Sequence, residues 1–89
     1  MEKKRKTKRL ELYQRKTYKM LLKNMANNIK QLREQESLTQ EEAAHRCSMP
    51  TRQWQMIETG EANTTLVTIA RLCDGLGVSI EVIFAGKKR

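Results

Sequence analysis

Residues 38–60 read Leu38-Thr39-Gln40-Glu41-Glu42-Ala43-Ala44-His45-Arg46-Cys47-Ser48-Met49-Pro50-Thr51-Arg52-Gln53-Trp54-Gln55-Met56-Ile57-Glu58-Thr59-Gly60. Thr39 and Glu42 stand at the Thr-x-x-Glu spacing of a capping box, in which the hydroxyl and the carboxylate each satisfy a backbone amide at a helix start. A helix therefore begins at Thr39 or Gln40, with Ala43, Ala44 and Cys47 on its inner face, small enough to let another helix approach. Pro50 lacks an amide hydrogen and disfavours helical geometry at Met49, so this helix stops between Cys47 and Pro50. Proline is tolerated in the first turn of a new helix, which opens at Pro50 or Thr51. That helix runs to Thr59, and Gly60 supplies a left-handed cap. Two short helices joined by so few residues, packed among others, predict a helix-turn-helix.

The pattern extends on both sides. Over residues 28–36, Ile29 and Leu32 share a face while Lys30, Arg33, Glu34 and Glu36 are polar, which predicts a helix of about two to three turns that Ser37-Leu38 interrupts. Downstream, Asn63-Thr64-Thr65 offer caps to a fourth helix, where Leu66, Ile69, Ala70, Leu72, Cys73 and Leu76 follow the helical repeat and Gly77 ends it. Ser79 is expected to cap a short fifth helix from Ile80 to Phe84. β-branched residues form no useful strand-like run, so the expected fold class is all-α.

These residues resemble the Xre/Cro helix-turn-helix family of phage repressors and bacterial regulators. The similarity spans residues 28–84 without a gap and rests on Leu38-Thr39-Gln40-Glu41-Glu42, Ile57-Glu58-Thr59-Gly60 and Leu76-Gly77-Val78-Ser79 at the family's mutual spacing. It implies a five-helix lambda-repressor-like bundle, its third helix entering the DNA major groove, and this chain adds to it an extra basic N-terminal arm or helix outside the matched residues. Helical geometry agrees: Pro50, Trp54, Ile57 and Glu58 fall on one side of the third helix, with Arg52, Gln55, Met56 and Thr59 broadly opposite.

Chemistry on the second set suits base reading. Arg52 can give two hydrogen bonds to guanine, Gln55 can pair with adenine, Met56 can touch a thymine methyl, and Thr51 can reach a base or a phosphate. The competing view is a solvated polar face, as on any surface helix. From the resemblance, Gln40 at the start of the second helix is expected to hold a phosphate, helped by the helix amides there, and Gln53 is a lesser candidate for the same role. The resemblance also implies a partly buried ion pair between Arg33 and Glu58. Trp54 reads as a core anchor, and His45 has no partners for metal or acid-base chemistry. Two departures stand out: Ser48 replaces the usual glycine of the turn, and Glu61 and Thr64 replace a basic residue and a proline. The second departure weakens phosphate contact from the loop after the third helix.

Charge is unevenly placed. The 89 residues carry a formal net charge of +8. Residues 1–25 hold ten basic side chains and two acids, residues 26–86 five basic groups and eight acids, and Lys87-Lys88-Arg89 form a basic tip. This divides the chain into a basic arm (1–25), a helix-turn-helix domain (26–86) and the tip (87–89). Lys3, Lys4, Arg5, Lys6, Lys8 and Arg9 are phosphate-contact candidates; lying on a membrane or a partner protein, and simple solubilisation, are the other uses of such an arm. On a projection of residues 10–25, Leu10, Tyr13, Met20, Leu21 and Met25 share a sector opposite Lys8, Arg15, Lys16, Lys19 and Lys23. A helix or a strand (Tyr18, Met20, Leu22) both fit.

Length supports one small-core domain. No run of 18 apolar residues is present and no secretory pattern follows the N-terminal charges, so export and membrane spanning are not expected. Cys47 and Cys73 read as free thiols of a reducing cytoplasm. No catalytic constellation, metal site or cofactor motif is found, and no small-molecule ligand is expected. The expected function is sequence-specific binding of double-stranded DNA by a cytoplasmic regulator, a repressor acting as a homodimer through Ile80 and Phe84. Ile83 is assigned to core closure. The alternative is an antitoxin or adaptor working through protein binding.

Overall fold

The computed structural model describes Glu11 and residues 14–86, and no strand occurs among them. From Lys16 onward five helices follow in order: α1 (Lys16–Gln35), α2 (Gln40–Arg46), α3 (Thr51–Glu58), α4 (Leu66–Leu76) and α5 (Ile80–Phe84). None is long and apolar enough to cross a membrane.

α1 departs most from expectation. The helix expected over 28–36 starts instead at Lys16, and its 20 residues contain neither Gly nor Pro to stop it. The strand alternative for Tyr18, Met20 and Leu22 is thereby removed. The boundary drawn between residues 25 and 26 falls inside this helix, between two buried side chains, Met25 and Ala26. Leu22, Met25, Ile29 and Leu32 form the stripe that meets the core. Met20 and Leu21, expected on the apolar sector with Met25, are exposed at 51% and 38%. Only the side chains that share Leu22's face have a body to pack against.

α1 to α4 all end in one way. A residue with positive φ follows the last turn: Ser37 (57°), Ser48 (55°), Gly60 (80°) and Gly77 (69°). The next amide then reaches back five residues, from Leu38 to Arg33 O (3.0 Å), Met49 to Ala44 O (3.0 Å), Glu61 to Met56 O (2.9 Å) and Val78 to Cys73 O (3.1 Å). This is the six-to-one hydrogen bond of a Schellman ending, which satisfies a carbonyl that the helix leaves unpaired. Ser48 thus keeps the turn geometry that glycine would give, at a strain of about 1–2 kcal/mol.

Helix starts are capped by side chains at two places. Thr39 and Glu42 make the reciprocal capping box (3.0 and 2.8 Å), and Thr65 Oγ1 accepts from Thr68 N (3.3 Å). Ser79 holds the N-cap position of α5, but its hydroxyl makes no cap bond. The Glu81 carboxyl is held below its ordinary range, first by its own backbone amide and then by the Ser79 hydroxyl.

Trp54, Met25, Ile29, Ile57, Leu72 and Ile83 are the largest fully buried side chains, with Ala43, Ala44 and Cys47 letting the helices close on them. α4 comes so close to the end of α2 that a Cβ on Gly75 would lie 2.5 Å from Cys47 Sγ and 2.8 Å from Arg46 O. α5 is tied to α1 by Asn28, whose Nδ2 donates to Ile83 O (2.9 Å) and Ala85 O (2.8 Å). Leu66 and Ala70, expected on the apolar repeat of α4, lie at the surface, Leu66 at 75% exposure. The face that packs runs through Thr68, Leu72 and Leu76.

Candidate nucleic-acid interface

Pro50 precedes α3 in an extended conformation (φ −64°, ψ 149°), and its carbonyl accepts from Trp54 N (3.2 Å), so the helix starts in register at Thr51. Trp54 and Ile57 then point inward and are fully buried. The 3.6-residue period leaves Arg52, Gln55, Met56 and Thr59 exposed and Thr51 half-exposed. Arg52, Gln55, Met56 and Thr59 line one shallow open groove together with Glu61. The structure therefore brings together three of the four candidate base-reading residues, Arg52, Gln55 and Met56, with Thr51 at the N-terminal end of the same helix.

Beneath this face lies a hydrogen-bonded chain centred on Glu58. Arg33 Nε donates to Glu58 Oε1 (3.0 Å) and Arg33 Nη2 to Oε2 (2.9 Å), a two-point contact between α1 and α3. Arg33 Nη1 also donates to Leu38 O (2.9 Å) in the loop before α2. Trp54 Nε1 donates to Glu58 Oε1. Gln40 Nε2, from the start of α2, donates to Glu58 Oε2 (3.3 Å), and Gln40 Oε1 accepts from Gln55 Nε2 (3.2 Å). Burial pushes the Glu58 carboxyl upward, but the hydrogen bonds from Arg33 and Trp54, the Arg33 charge and the Gln40 amide outweigh it and hold the group below the usual carboxylate range. The same pairing raises the Arg33 guanidinium against its own desolvation, keeping it charged.

This chain orients Gln55. With one amide hydrogen held by Gln40, Gln55 keeps its carbonyl oxygen and second amide hydrogen, the two groups that pair with adenine N6 and N7. Gln40 is half-buried and engaged with two side chains, leaving one amide hydrogen for a phosphate. Gln53, the other expected phosphate contact on this surface, is half-buried and donates to Thr68 Oγ1 on α4 (3.3 Å). Its amide links α3 to α4.

The remaining candidates are scattered. Ile80 is 47% exposed, whereas Phe84 is partly buried and packs on the core. Ile83 is fully buried, and Val82, which sequence reasoning missed, is 40% exposed beside Ile80. Lys3, Lys4, Arg5, Lys6, Lys8, Arg9 and the tip lie outside the described residues. Burial pushes the Cys47 thiol up to about 11 despite Arg46 nearby, and burial with Asp74 and Glu81 raises Cys73, so neither is an activated nucleophile. Both thiols are free. His45 is exposed, and no group of His, Cys, Asp and Glu able to hold a metal occurs among the described residues.

Asn28 and Gly75 also escaped the sequence reading. A polar residue on an amphipathic helix reads as solvent-facing, and nothing local marks the carbonyls that Asn28 meets.

Comparison with known proteins agrees with this fold. Residues 25–83 match the model of the helix-turn-helix domain family, and the chain belongs to that family, in its Xre/Cro-like form. Three crystal structures are similar. An HTH_3 family transcriptional regulator from Vibrio cholerae is 28% identical, with a TM-score of 0.70 over 75% of this chain and 38% of that one. A hypothetical transcription factor, NHTF, from Neisseria is 25% identical, with a TM-score of 0.68 over 72% and 74%. The restriction-modification controller protein C.AhdI from Aeromonas hydrophila is 25% identical, with a TM-score of 0.67 over 71% and 96%. The chain thus spans well under half of the Vibrio cholerae regulator. A search of curated proteins gave no match.

Proposed function

We propose that this protein binds double-stranded DNA in a sequence-specific manner and regulates transcription as a homodimeric repressor, reading the major groove with α3. The observation that carries this is the exposed face of Arg52, Gln55 and Met56 held over a partly buried, hydrogen-bonded support. Long polar side chains on an unsupported surface helix would lose rotamer freedom on binding. Here Gln55 is already oriented through Gln40 and Glu58, which suits it to direct readout. Arg52 takes guanine, Gln55 adenine, and Met56 a thymine methyl, with Thr51 at the edge and the amides of α2 beside Gln40 meeting a phosphate. Family membership and similarity to transcriptional regulators support the same reading. Lys3 to Arg9 supply sequence-independent phosphate contacts, and Ile80 with Phe84 form part of the dimer surface.

In vitro selection from random duplex DNA tests this. The expected product is a two-fold symmetric motif with half-sites about 34–36 Å apart. A pool that gains no common motif over successive rounds removes sequence-specific reading. That result would favour the alternative role, an antitoxin or adaptor acting through protein contacts.

A further inference from the structure

Lys19 and Lys23 stand one turn apart on the N-terminal half of α1. With Leu22, Ala26 and Asn27 they line a groove of about 240 Å³ whose far wall is Glu58, Thr59 and Gly60, at the C-terminal end of α3. Thr59 also lines the groove that contains Arg52, Gln55 and Met56. The two lysines therefore border the proposed reading face directly, although they belong to the part of α1 that the sequence placed outside the domain.

Packing holds them there. Leu22 packs on the core and Ala26 is 5% exposed, so this part of α1 is a fixed wall. Gly60 comes near enough that a Cβ on it would lie 3.9 Å from Ala26 Cβ. Among the described residues neither lysine makes an ion pair, those present being Arg33–Glu58 and Arg46–Glu36. Glu58, the acid in their own groove, is already taken by Arg33, Trp54 and Gln40.

A phosphate approaching this end of α3 would otherwise meet repulsion. The C-terminus of a helix carries partial negative charge, and the exposed Glu61 adds a carboxylate beside it. Resting on the DNA-binding reading above, we propose that Lys19 and Lys23 form a binding site for the duplex DNA backbone, gripping the phosphodiester strand that flanks the C-terminal end of α3. The extension of α1 thereby supplies cations that the loop after α3, with Glu61, does not.

The test uses the full chain and its selected DNA site. In a Lys19→Gln/Lys23→Gln variant, two lost phosphate contacts should lower the slope of log affinity against log salt by about 1.8 per protomer. Ethylation interference should disappear at the phosphates flanking the C-terminal end of α3, while the selected base motif stays the same. A Lys19→Arg/Lys23→Arg variant should keep the wild-type slope and interference pattern. The proposal is overturned if the Gln variant retains the wild-type slope and interference, or if the Arg variant loses as much as the Gln variant, which would assign the effect to helix packing. Wild-type protein that binds no duplex at any salt concentration would sink the DNA reading itself, and this is seen before any variant is made.

Discussion

At the scale of single residues, α3 and α4 carry opposite demands. Arg52 is exposed and makes no ion pair among the described residues, so its replacement should cost the fold little. Arg52→Ala is expected to weaken DNA binding by about 1–3 kcal/mol and to relax a single base position. Binding-site selection with that variant checks this, and an unchanged motif would remove Arg52 from base reading. Gly75 is the reverse case, silent in function and strict in packing. Alanine favours a helix interior by about 0.8–1 kcal/mol, but its Cβ would fall within 3 Å of Cys47 Sγ, Cys47 Cα and Arg46 O. Two of these atoms are backbone and cannot rotate away. Overpacking of this kind costs about 1–3 kcal/mol, so Gly75→Ala should lower the urea midpoint. A raised midpoint would show that helix propensity outweighs the contact.

Among elements, Glu58 is where α1, α2 and α3 are fastened together. Its side chain is 6% exposed and that of Arg33 14%, so removing the carboxylate leaves a largely buried guanidinium without its partner. Glu58→Ala is expected to cost about 3–5 kcal/mol of stability, measured by denaturant unfolding at neutral pH. The pH dependence follows in sign. The folded carboxyl titrates below the unfolded value of about 4.3, so the unfolded state binds the proton more readily. This contribution is complete above the unfolded value and is lost as pH falls through the folded one. A stability profile measured downward from pH 5 should decline more steeply for wild type than for Glu58→Gln. Parallel profiles would show that Glu58 is not held in its charged form.

For the whole molecule, the placement of charge predicts that DNA affinity and specificity reside in separate segments. Residues 26–86 have more acids than bases, whereas residues 1–25 carry a balance of +8. Phosphate neutralisation governs salt dependence, with each contact on duplex DNA adding about 0.9 to the slope. Deleting residues 1–9, which removes Lys3, Lys4, Arg5, Lys6, Lys8 and Arg9, should flatten the salt dependence and leave the selected motif in place. An unaltered slope would assign the arm to another task. α1 blurs this division at one place: it holds Lys19 and Lys23, which belong to the basic segment, in one groove with the C-terminal end of α3.

Much of this molecule is written locally. The capping box at Thr39, Pro50 ahead of α3 and the left-handed Gly60 and Gly77 act within a few residues, so the positions of α2 and α3, the end of α4 and the buried face of α3 follow from sequence alone. Ser37 and Ser48 take the same left-handed geometry as those glycines. Only Ser48 was anticipated, because serine gives no conformational signal of its own. The start of α1 was illegible for a related reason: its apolar residues fit two periods, and which face is buried depends on where α3 and α5 lie. Long-range geometry also decided the roles of Asn28, Gly75 and Gln53, whose partners are 15 to 57 residues away or on another helix. The sequence determined which side chains face outward on α3. Tertiary structure decided how they are held, because Gln55 reaches Glu58 through Gln40 only once α2 and α3 are packed against each other.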